Sequence, residues 1–132
     1  MVPSLILTAA LTLPTAPVSP VEQRYSDAFH RCMTSSWAGK GSDPAMTDCL
    51  SEEYARQDRV LNETYRRVLT RLHSINAQTV LRRSERRWID DKLQECWSAG
   101  KEDEGGTLEK LKIASCFLDT TVRRTIWLES YR

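Results

Sequence analysis

The chain has 132 residues, with 19 Lys and Arg against 18 Asp and Glu and a formal net charge of +1. That is room for one small domain with a single core. The near-zero balance excludes a generic nucleic-acid binder, which carries a basic excess, and five Gly and five Pro with 40% apolar residues exclude a low-complexity chain.

Residues 1–20 carry no charged side chain and are apolar from Leu5 to Leu13. That run is shorter than the ~20 residues a membrane-spanning helix needs, so no stable membrane span is expected. It fits the apolar region of a secretory signal, although basic residues are missing ahead of it and Pro17 follows the small residues Thr15 and Ala16. Residues 1–20 are therefore read as a signal peptide or a disordered N-terminal segment, and 21–132 as a single helical domain. The segment holds no cysteine, so no lipoprotein-type anchor is expected.

Val21, Tyr25, Phe29, Cys32 and Met33 recur at helical spacing and predict a first helix. Gly39, Gly41 and Ser42-Asp43-Pro44 end it. Asp43 is the expected N-cap of a second, long helix from Pro44 to about His73. Its apolar stripe includes Met46, Leu50, Tyr54, Leu61, Tyr65 and Leu72. Asp58 falls on this stripe by its spacing to Tyr65 and Leu72. A carboxylate there is costly unless paired, so Asp58 is expected to accept from Arg86 or Arg87.

A third helix is predicted from about Ala77 to Ala99. Leu81, Trp88, Ile89, Leu93, Cys96 and Trp97 mark its buried side, and Arg82, Arg83, Arg86 and Arg87 crowd its first half. Residues 100–106 read as a loop holding Glu102, Asp103 and Glu104. Thr107 is the expected cap of a fourth helix, with Glu109 near its positive end and Leu111, Leu118, Val122 and Ile126 inward. No segment sustains a period of two. The expectation is all-α: a small antiparallel three- to four-helix assembly with Leu61, Tyr65, Leu72, Trp88, Leu118 and Val122 in one core.

Cys32, Cys49, Cys96 and Cys116 allow three pairings, which spacing alone does not decide. No two form a Cys-x-x-Cys pair, which argues against a redox site or zinc ribbon. His30 and His73 are the only histidines, and no motif gives either a nucleophile and an orienting partner. The acidic runs Glu52-Glu53, Asp90-Asp91 and Glu102-Asp103-Glu104 read as exposed rather than as two isolated carboxylates in apolar settings. No metal, no cofactor and no enzymatic activity are expected; structural disulfides are.

An ordered set of residues resembles the N-terminal domain of the LprI-type lysozyme inhibitors, a family of small exported bacterial proteins. It consists of Cys32, Met46-Thr47-Asp48-Cys49, Asp58 with Leu61-Asn62 and Tyr65, Leu81, Glu85-Arg86-Arg87-Trp88-Ile89 and Cys96. Gly105-Gly106, Cys116, Arg123 or Arg124 and Leu128 complete it. The family commonly has Gln where this chain has Glu85. The resemblance implies a helical fold, a periplasmic or secreted location and a protein partner, lysozyme. Asp58, Asn62, Tyr65, Arg86, Arg87 and Trp88 are read as the structural motif of that fold.

Many lysozymes are cationic and carry two carboxylates in a cleft. An acidic protrusion suits such a partner, which makes Glu102, Asp103 and Glu104 the candidate partner-binding residues. The predicted reversals favour Cys32–Cys49 across the Gly/Ser/Pro turn and Cys96–Cys116 across the acidic loop. The crossed pairings, which need longer closures, remain the alternatives. A second function class also stands: a periplasmic envelope binding module, or an immunity protein against a different wall-degrading toxin.

Overall fold

The computed structural model describes residues 16–132. The signal-peptide reading therefore lies largely outside the described residues. Among those described there is no strand, only helices. One 3-10 turn at Glu22–Arg24 precedes two short helices, α1 (Asp27–Thr34) and α2 (Ser36–Gly39), and a second 3-10 turn, Lys101–Asp103, lies in the acidic loop. Three long helices follow: α3 (Asp43–Arg71), α4 (Ile75–Ser98) and α5 (Thr107–Ser130).

The long helices run up, down and up. Asp43 at the start of α3 accepts from the Thr107 hydroxyl at the start of α5, at 2.9 Å. At the far end Arg71 donates to the Tyr131 carbonyl at 2.6 Å. α3 and α5 are thus parallel, and α4 is antiparallel to both. α3 and α5 also make the most extensive contact of any helix pair. Small buried residues at the seam (Cys49, Thr64, Thr121, Thr125) let the axes approach.

The single core expected from the sequence is two clusters. Leu118 and Val122 pack with Phe29, Ala38, Cys49 and Leu50 at one end. Leu61, Val68, Leu81 and Leu128 form the other, with Tyr65, Leu72 and Trp88 half-buried against it. Between them α3 places Glu53 and Gln57, both buried. The apolar stripe of α3 is interrupted there because those polar groups hold the N-terminal segment.

The single opening helix expected from Val21 to Met33 is broken at Tyr25 and Ser26, where the backbone is extended. Ser26 caps α1 by accepting from the Phe29 N–H. Ser26 also donates its own N–H and hydroxyl to Glu53, at 2.9 and 2.6 Å. Arg56 and Gln57 donate to the same carboxylate. Glu53, read from the sequence as part of an exposed run, is in fact fully buried. Ser42, rather than Asp43, caps α3; Ser74 caps α4.

Burial by itself would raise the Glu53 carboxyl, but the hydrogen bonds from Gln57, Ser26 and Arg56 prevail and hold it below its usual 4.5. A depressed carboxyl contributes stability above its unfolded value and loses it as pH falls through the folded one. Glu53→Gln should therefore cost about 1.5–3 kcal/mol at neutral pH. The gap from the parent should narrow below about pH 4.5. Urea unfolding across the acid range checks this; a gap that stays constant would show that the charge is irrelevant.

Thr121 is fully buried, and its hydroxyl has no hydrogen-bond partner among the described residues. An orphaned buried hydroxyl costs about 1–3 kcal/mol. Thr121→Val keeps the shape and removes the orphan, so its thermal midpoint should equal or exceed the parent's. A clear fall would mean that the hydroxyl is satisfied.

Candidate functional site

Both disulfides join the cysteines that the predicted reversals favoured. Cys32–Cys49 ties α1 to the first turns of α3, and Cys96–Cys116 ties the last turns of α4 to the middle of α5. All four cysteines are therefore engaged. Disulfides of this kind fit an extracytoplasmic protein.

The second disulfide frames the acidic loop. Gly100 leaves α4 hard against α5: a Cβ there would sit 2.6 Å from the Glu109 side chain and 2.8 Å from its carbonyl oxygen. Gly105 takes a positive φ of 82°, which favours glycine, and its N–H donates to the Glu109 carboxylate at 2.7 Å. Asp103 is drawn back onto Lys112 in an ion pair, which raises the Lys112 pKa. Of the three predicted acids, Glu102 and Glu104 remain exposed. The loop is thus clamped by one covalent and two polar ties, and it presents two free carboxylates.

Beside the loop lies an apolar groove of about 500 Å³ between α4 and α5, with α3 as its third wall. Leu93 and Trp97 of α4, Ile113 and Phe117 of α5 and Tyr54 of α3 line it. Trp97 meets the Phe117 ring edge-on with centroids 5.4 Å apart, yet stays 64% exposed. The sequence had placed Ile89, Leu93 and Trp97 on the buried side of α4. They are exposed instead, because the face that α4 buries carries Leu81, Glu85, Lys92 and Cys96. A helix that turns two charged residues inward leaves its apolar stripe facing outward, and an exposed apolar strip beside a rigid loop marks an interaction surface.

The buried charges of α4 are compensated. Glu85 accepts from Arg124 of α5 at 2.9 Å, and Arg124 also donates to Ser84 at 3.0 Å. The guanidinium lies 3.9 Å from the Trp127 ring centre and 5.6 Å from that of Trp88. Lys92 sits among aromatic faces, 4.5 Å from the Trp88 ring and 5.4 Å from that of Tyr54. It donates to the Tyr54 hydroxyl at 3.3 Å.

Most residues of the predicted structural motif converge on one groove of about 400 Å³ between α3 and α4. Asp58, Asn62 and Tyr65 come from α3; Arg86, Trp88 and Lys92 come from α4. Asp58 does not pair with an arginine: its hydrogen-bond partner is Asn62, at 3.3 Å, and no ion pair forms within 4.0 Å. It is half-exposed at the groove wall, so water screens it and pairing is unnecessary. Arg87 turns to a separate hollow with Val80, Arg83 and Ser84. Burial holds the Tyr65 hydroxyl above the usual phenol range, and the Glu85 charge acts in the same sense.

The roles of Glu53, Lys92 and Arg124 were not foreseen. Each charged side chain is held in part by a residue distant in sequence (Ser26 for Glu53, Tyr54 for Lys92, Glu85 for Arg124), which local periodicity does not report. The exception with a readable signal was Glu85, which stands where the family carries Gln.

A family model described as lysozyme inhibitor LprI matches residues 32–128. An uncharacterized protein of Rhizobium meliloti (strain 1021) is 28% identical over 93 residues, covering 61% of this chain and 67% of that protein. No solved structure matches the chain. With the cysteines paired as described and the match extending from Cys32 to Leu128, the chain belongs to the LprI lysozyme-inhibitor family.

Proposed function

We propose that this chain is an exported, periplasmic or secreted inhibitor of a cationic lysozyme. It grips the enzyme through the acidic loop and the apolar groove beside it. The observation that carries this reading is a large exposed tryptophan, Trp97, next to the free carboxylates Glu102 and Glu104 on a loop clamped by Cys96–Cys116. An anchor residue with a charged rim is how protein interfaces divide affinity from steering. The clamps reduce the ordering cost on binding. The contact is protein on protein, with no cofactor and no chemistry on the wall polymer.

The test is inhibition of wall lysis by a purified C-type lysozyme. Trp97→Ala should weaken inhibition by about thirtyfold or more, the scale of an interface hot spot. Glu102→Gln with Glu104→Gln should slow association, and the difference should fade at high salt. Full inhibition by a variant that combines Trp97→Ala, Glu102→Gln and Glu104→Gln would remove this surface. Failure of the parent protein to inhibit any lysozyme would favour a different wall-degrading enzyme as target.

A further inference from the structure

The near-neutral net charge conceals a strong separation along the long axis. Residues 56–87, the second half of α3 and the first half of α4, hold nine arginines, no lysine and three acidic residues. Residues 40–55 and 88–112, toward the other end, hold eleven acidic residues against five lysines. α3 alone separates these regions over a helix of roughly 40 Å.

The arginines are largely uncommitted. Among the described residues only Arg56 of the nine meets a carboxylate. Arg59, Arg66, Arg82, Arg83, Arg86 and Arg87 are all exposed. Two adjoining hollows share Asn62 and Tyr65: one gathers Arg82 and Arg86 from α4, the other Arg59 and Arg66 from α3. Four guanidinium groups therefore line two neighbouring hollows, against three carboxylates, of which Glu85 is buried and committed to Arg124 while Asp58 and Glu63 stand at the walls. Exclusive use of arginine suits phosphate, whose oxygens match the planar fork in pairs.

A second observation selects the kind of phosphate. Ile75, the first residue of α4, is 82% exposed at the tip of the α3–α4 hairpin. Its spacing of seven and eleven residues to Arg82 and Arg86 puts all three on one helix face. A soluble polyanion gains nothing from an exposed isoleucine, whereas the boundary between lipid headgroups and acyl chains accommodates it.

We propose that the α3–α4 hairpin is a peripheral docking surface for an anionic phospholipid bilayer. The arginines meet lipid phosphates and Ile75 enters the interface. No described helix is long and apolar enough to cross a membrane, so the attachment is superficial and salt-sensitive. The same anionic surface repels the acidic end, which orients the molecule with its loop pointing away. A lysozyme arriving from outside would then meet the loop first, although the bilayer contact does not depend on the identity of that partner.

Co-sedimentation of the full chain with vesicles tests this. The protein should pellet with mixed phosphatidylglycerol–phosphatidylcholine vesicles, remain in solution with phosphatidylcholine alone, and be released by high salt. Replacing Arg59, Arg66, Arg82 and Arg86 together by Gln should lower partitioning about a hundredfold or more. Ile75→Ser should lower it about tenfold while leaving binding to soluble polyphosphate unchanged. Helical circular dichroism verifies that the variants fold. Should the fourfold variant unfold, Arg82→Gln with Arg86→Gln and Ile75→Ser, three exposed positions on one face of α4, should lower partitioning by a similar factor. Equal pelleting with neutral vesicles, or folded variants that pellet like the parent, would overturn the proposal. Polyphosphate binding without vesicle binding would reassign the surface to a soluble polyanion.

Discussion

Arg124→Ala is expected to lower the unfolding free energy by about 3–5 kcal/mol, the scale of a buried ion pair broken from one side. The Arg124 and Glu85 side chains are only 10% and 9% exposed. Removing the guanidinium leaves the buried Glu85 carboxylate without its cation. It also removes the donor to Ser84 and the cation between Trp88 and Trp127. Glu85→Gln should cost less, because the amide oxygen still accepts from Arg124. The double replacement Glu85→Leu with Arg124→Met should recover most of the loss, since apolar residues of similar volume substitute well for buried ion pairs. Urea unfolding of the two single variants and the double variant gives the coupling directly. A loss under about 1 kcal/mol for Arg124→Ala would place the pair with screened surface bridges.

Opening either disulfide should cost about 3 kcal/mol, because each closes a loop of similar length, 17 and 20 residues. The functional consequences should differ. Cys32–Cys49 holds α1 against the core and does not close the acidic loop. Cys96–Cys116 is one of three ties on that loop, and the remaining two are the Asp103–Lys112 pair and the Gly105–Glu109 hydrogen bond. At matched folded fraction, Cys96→Ser with Cys116→Ser should weaken lysozyme inhibition more than Cys32→Ser with Cys49→Ser. The reverse order would separate the loop from the inhibitory surface while leaving the pairing of the cysteines intact.

Much of the architecture was legible in the residues. Helical spacing located the three long helices, the Gly- and Ser-containing breaks located the reversals, and the reversals selected the cysteine pairs. These features are short-range: propensity, caps and chain reversal act within a few residues, so a linear reading captures them. The ordered motif from Cys32 to Leu128 also identified the family.

Only the tertiary structure decided which face of α4 is buried. Periodicity marks Ile89, Leu93 and Trp97 as an inward stripe, because apolar side chains normally seek the core. The fold instead turns Glu85 and Lys92 inward, where Arg124, Trp88, Tyr54 and Phe117 receive them. Except for Trp88, the groups that compensate these charges lie on α3 and α5, distant in the chain, so no local window contains the whole reason. The same holds for Glu53, whose burial depends on Ser26 arriving from a different element. Composition and period set what each helix can bury; the partners that compensate a buried charge, and thus the faces left outside for binding, exist only once the helices have packed.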